Sequence, residues 1–172
     1  GRVWRRAPGP APPPRRLRPP PRHSQADCRR YMLDQLSLPG LEMVALLQTM
    51  PTPAHLPPDN QLALNLMRQW DGRLTTESVG GAMFEVLVEQ LTQALLPGKV
   101  PADLLVLLLG QGLSENLHPV NEFQGYWLVN LLRLLREAPP TWFTSLAARN
   151  ELIFDCLGKS TAVLQQILGP DP

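Results

Sequence analysis

The sequence predicts an all-α protein, an irregular array of short helices behind a disordered N-terminal tail. Apolar residues recur at the three- and four-residue spacings of a helix, no segment sustains period-two alternation, and Pro and Gly cut the chain into short pieces. The tail is residues 1–26 and the helical segment residues 27–172. A chain of 172 residues is long enough for one domain.

The tail, GRVWRRAPGPAPPPRRLRPPPR, has almost nothing to bury and is expected to be disordered or transiently polyproline II. The formal charge of +1 hides an asymmetry: residues 1–22 hold seven Arg and no acid, so nine Lys plus Arg face fifteen Asp plus Glu in the rest, a balance of −6. The basic character belongs to the tail, and a protein-wide nucleic-acid surface is not indicated. The tail reads either as an electrostatic arm for phosphates and anionic surfaces or as a solvated extension. No apolar core follows its Arg residues, so it is not a secretory signal as it stands. No run approaches the roughly 18 apolar residues of a membrane span.

Tyr31 to Leu36 is expected as a short helix, with Leu38, Pro39 and Gly40 as a break after it. Leu41 to Met50 follows and ends at Pro51 and Pro53. Asn60 to Trp70 places Leu62, Leu66, Gln69 and Trp70 near one face with Leu64 and Met67 beside it. A helix from about Ser78 to Leu96 stops at Pro97-Gly98. Pro101 opens the next at its first turn, where Leu104 to Leu109 is apolar all round and expected to be buried on every side. Gly110 and Gly112 end it, and a polar loop, SENLHPVNEF, leads to Gly125–Glu137, which Pro139-Pro140 closes. Trp142 to Ala148, Glu151 to Leu157 and Ser160 to Leu168 complete the series, the last two parted by Gly158 with Ser160 as a cap.

The densest local signal is WDGRLTTESVGGAMFEVL, residues 70–87. Gly72 supplies the backbone that ends a helix, Thr75 or Thr76 offers a hydroxyl cap, and Glu77 and Ser78 suit the positive end of the next helix. Gly80, Gly81 and Ala82 leave room for a neighbouring backbone. Trp70 and Phe84, at helical spacing, read as core aromatics.

Little here points to chemistry. Ser78, Ser114, Ser145 and Ser160 lack a G-x-S-x-G setting, and there is no phosphate-binding G-x-x-x-x-G-K or strand-linked G-x-G-x-x-G. His23, His55 and His118 sit in Pro-rich or polar loop sequence without metal-ligand spacing. Asp71 and Glu77 are candidates for paired carboxylates, but their places at a helix stop and a helix start fit cap and dipole partners better. A disulfide between Cys28 and Cys156 stays open; each reads better as a free thiol, Cys156 above all because Ile153, Phe154 and Leu157 surround it. No residue is assigned as catalytic, cofactor-binding or metal-ligating.

ALNLMRQWDGRLTTESVGGAMFEVLVEQL resembles the helical part of the large subunit of penicillin acylase-type N-terminal-nucleophile hydrolases. There a W-D-G turn precedes a polar pair ending in Ser and a helix with small and aromatic residues, here Trp70, Asp71, Gly72, Glu77, Ser78, Ala82 and Phe84. AARNELIFDCLGKSTAVLQQILGPDP is similar to the helix before the family's W-x-W-G segment, which is expected to begin after Pro172. The likeness covers about residues 27–172 and leaves the tail outside.

The resemblance implies the helical portion of a larger α+β hydrolase made as a self-cleaving precursor. A new N-terminal Ser attacks an amide carbonyl, its own α-amine acts as base, and backbone and Asn donors hold the oxyanion. It implies acylated amide substrates, calcium bound elsewhere in the fold, and a periplasmic or extracellular setting. It makes the rest of the acylase chain, or its small and large subunits, the partner. Gly1, not the nucleophilic Ser, begins this sequence, no residue matches a catalytic position, and this polypeptide alone is expected to lack amidase activity. As a piece, it is expected to pack loosely, with Leu104–Leu109 and Leu131–Leu135 needing outside cover. The other reading is a non-enzymatic helical interaction module with a basic disordered arm.

Overall fold

A computed structural model describes residues 23–109 and 122–169. Residues 1–22 of the tail, His118, Ser114, Gly110 and Gly112 lie outside them, whereas residues 24–26, expected within the disordered tail, cap and start a helix. The described residues form seven α-helices and no strand. By contacts the chain divides into two units, Gly1–Asp34 and Gln35–Pro172.

In the first unit, α1 spans Gln25–Met32 rather than starting at Tyr31. Ser24 and Asp27 set its start as a capping box: the Asp27 N–H donates to Ser24 Oγ at 3.1 Å and the Ser24 N–H to Asp27 Oδ2 at 3.0 Å. The Ser24 backbone N–H holds the Asp27 carboxyl below its ordinary pKa, helped by the Ser24 hydroxyl. No residue of α1 is buried.

In the second unit the helices are α2 Leu38–Thr49, α3 Pro58–Gln69, α4 Val79–Leu95, α5 Ala102–Leu108, α6 Glu122–Glu137 and α7 Leu146–Leu168. The expected break at Leu38, Pro39 and Gly40 is instead the first turn of α2. Ser37 caps it, its Oγ accepting the Gly40 N–H at 3.0 Å, and Pro39 sits where a missing N–H costs nothing. On α3 the core face is Ala63, Leu64 and Met67, continued by Trp70, while Leu62 and Gln69 face outward. The helix carries two adjacent apolar stripes, and its neighbours α2, α4 and α7 decide which one is covered.

Two helix ends are closed by arginines. The Arg68 guanidinium donates through Nε to the Leu47 carbonyl at 3.0 Å and through Nη2 to the Met50 carbonyl at 2.7 Å, with Nη1 on Thr52 Oγ1 at 2.8 Å. In return Gln48 Nε2 donates to the Arg68 carbonyl at 2.8 Å, so α2 and α3 cap each other. Arg149, buried on α7, donates to the Leu135 carbonyl near the end of α6 at 2.9 Å and to Asn150 Oδ1. Burial lowers its pKa.

α6 begins at Glu122, not Gly125, and ends at Glu137, after which Ala138 takes a positive φ of 42° ahead of Pro139. Its Leu131, Leu132 and Leu135 are in the core, so the expected need of this run for outside cover is corrected: the helix packs on α2. On α5, Leu104 is 51% exposed, against the expectation of burial on every side. The helix is short and packs on α6.

The expected short helix from Trp142 to Ala148 and the two pieces after it are replaced by a turn and one long helix. Trp142 and Phe143 N–H groups close a turn on the Pro139 carbonyl, and Ser145 caps α7 through the Ala148 N–H at 3.0 Å. Gly158 does not stop α7; it lies within the helix facing Asn60 of α3, where a Cβ would stand 2.6 Å from Nδ2. Ser160 is no cap. It is buried, donates to the Cys156 carbonyl at 2.8 Å, and Thr161 does the same to Leu157 at 2.9 Å.

α4 and α7 form the main packing pair, with Met83, Phe84, Leu87, Leu91 and Leu95 on one side and Ile153, Phe154, Leu157 and Thr161 on the other. Trp127 of α6 joins them, its Nε1 donating to Thr92 Oγ1 at 2.7 Å. Among the described residues no buried side-chain nitrogen or oxygen lacks a partner.

Arg68→Lys is expected to cost about 1–2 kcal/mol in urea melts, because an ammonium cannot span two carbonyls and a hydroxyl in one plane. Gly158→Ala is expected to stay within about 1 kcal/mol of the parent, since the atom in its way is the movable end of Asn60 and Ala favours the helix.

Candidate functional site

The corner between α3 and α4 is where the sequence is most distinctive, and the structure builds it around one side chain. Trp70 ends α3, and its ring is buried against Phe84 with centroids 5.4 Å apart at 34°. Two glycines make its slot. A Cβ on Gly40 of α2 would stand 2.6 Å from Cη2 and Cζ3, and one on Gly80 of α4 would stand 2.5 Å from Cγ. The room expected around Gly80 is therefore taken by an indole rather than by a backbone.

The indole Nε1–H is shared between the Arg73 carbonyl at 3.1 Å and Ser78 Oγ at 3.0 Å. Ser78 is the N-cap of α4, a role expected of Thr75 or Thr76, and its Oγ also accepts the Gly81 N–H at 3.0 Å. Gly72 turns the chain with φ 78°, buried against Leu41, and its carbonyl accepts the Ser37 N–H at 2.7 Å. The Leu74 N–H reaches the Gln35 carbonyl at 2.9 Å, and Leu36 and Arg73 form an isolated antiparallel bridge. One tie thus starts two helices: the loop before α2 is pinned to the loop before α4.

The chemistry available at this corner is small. Both lone pairs of Ser78 Oγ are engaged by N–H donors, the opposite of what a nucleophilic oxygen needs. Asp71 Oδ1 accepts the Arg73 N–H at 3.0 Å in an exposed turn, and among the described residues no hydrogen bond or ion pair joins it to Glu77. Ser145 and Ser160 hold α7. His55 is exposed in the loop between α2 and α3, and His23 packs edge-on against Tyr31. Among the described residues no three His, Cys, Asp or Glu converge as a metal site.

Cys28 and Cys156 are free thiols, the first exposed and the second buried. Burial, with the Asp155 carboxylate adding to it, pushes the Cys156 thiol up to about 11, and Lys159 opposes. A thiol held protonated this firmly is a core side chain and not a nucleophile. Above pH 9 the unfolded thiol ionises before the folded one, so this group's contribution to stability falls as pH rises from about 9 towards 11.

An apolar groove of about 140 Å³ lies between α3, α4 and α7. Leu66, Val79, Met83 and Leu164 line it, and Gln165 donates to Asp59 at 3.2 Å on its rim. The sequence reading missed Gly40, Arg68 and Arg149 as structural keys. Only for Gly40 was there a local signal, the Ser37-x-x-Gly40 spacing of a cap.

Gly80→Ala is expected to destabilise by about 1–3 kcal/mol, because its Cβ meets the rigid root of the Trp70 side chain; equal thermal melts of variant and parent would overturn the slot. Iodoacetamide in native buffer at pH 8 is expected to label Cys28 within minutes, with Cys156 labelled only after denaturant is added.

Comparison with known families now bears on this corner. A family model for penicillin amidase matches residues 14–172, which takes in all seven described helices and starts inside the Arg/Pro-rich stretch. No curated protein matches the chain. The Trp70–Gly72 corner, the helix it launches and the helices packed on them all lie within that match, and the chain belongs to the penicillin amidase family.

Proposed function

We propose that this chain is a helical scaffold segment of a penicillin acylase-type amide hydrolase, in which another part of the enzyme supplies the nucleophilic N-terminal Ser. Membership supports an acylase-type hydrolase at the family level. The observation that carries the finer reading is the state of the described serines: Ser24, Ser37, Ser78 and Ser145 cap helices and Ser160 is buried in one. None has a histidine or free amine as hydrogen-bond partner.

In the complete enzyme the Ser hydroxyl would attack the carbonyl of an acylated amide while its α-amine takes the proton. The amine half of the substrate would leave, and water would release the acid from the acyl-enzyme. Residues 27–172 would serve this reaction by holding one side of the catalytic sandwich, and the Arg-rich N-terminal residues would supply a basic arm. The partners are then the remainder of the acylase chain, or its small and large subunits.

A second reading, an independent helical module with a basic arm, draws support from the closed core: Leu131, Leu132 and Leu135 are covered by this chain's own helices. It predicts a monomer with a sharp cooperative melt and salt-sensitive binding of polyanions through Arg2 to Arg22.

The purified chain, incubated with a chromogenic acyl anilide and examined by intact mass, is expected to show no burst and no acyl adduct. Co-expression with a segment carrying an N-terminal Ser is expected to restore both. Stoichiometric acylation of the chain alone would overturn the scaffold reading.

A further inference from the structure

We draw no further inference here: the strongest candidate, the apolar groove between α3, α4 and α7 lined by Leu66, Val79, Met83 and Leu164, is an unpartnered face and nothing in the structure shows what covers it.

Discussion

The indole of Trp70 needs a flat apolar slot for its rings and an acceptor for its N–H, and the surrounding helices are placed so that both are met. Burying a side chain of this size is worth roughly 4–5 kcal/mol from area alone. That gain is available only if two helices come within van der Waals distance of the ring, which is why glycines stand at 40 and 80. The N–H is satisfied by Ser78, whose oxygen at the same time starts α4. Core packing and helix capping therefore meet on one oxygen atom. Loss of either would loosen the start of α4, and α4 carries the main packing with α7.

The remaining corners follow a related economy. α2 and α6 each stop where prolines follow soon after, so their last carbonyls need donors from elsewhere. Arg68 and Arg149 reach across from neighbouring helices to supply them. Each is a cation at the negative end of a helix dipole, and each ties its own helix to the one it caps. Trp127 on Thr92 does the same between α6 and α4 without charge. These long-range side-chain bonds hold short helices at fixed angles where the loops alone would leave them free.

That architecture explains why a member of a hydrolase family shows so little chemistry in these residues. Ser24, Ser37, Ser78 and Ser145 are engaged at helix starts, Arg68 and Arg149 at helix ends, and Cys156 is buried. Apolar surface lies at the groove between α3, α4 and α7 and at exposed side chains such as Leu104 and Ile167.

The sequence by itself determined the helical class, the stops at Pro51, Pro97-Gly98 and Pro139, and the Trp70–Gly72 corner with its aromatic pair. These depend on neighbours within a turn or two, where periodicity, proline sterics and glycine freedom act. The same local logic misread Pro39-Gly40 as a break and Gly158 as a gap, because glycine in a helix costs about 1 kcal/mol and looks like a stop. Those cases turn on contacts between distant parts of the chain. Gly40 is needed by a ring thirty residues on, and that close approach repays the local cost; Gly158 faces the movable end of Asn60 of α3, inside a helix that its neighbours carry through. Tertiary packing likewise chose Leu64 over Leu62 for the core, since two stripes on one helix are equivalent until a neighbour covers one.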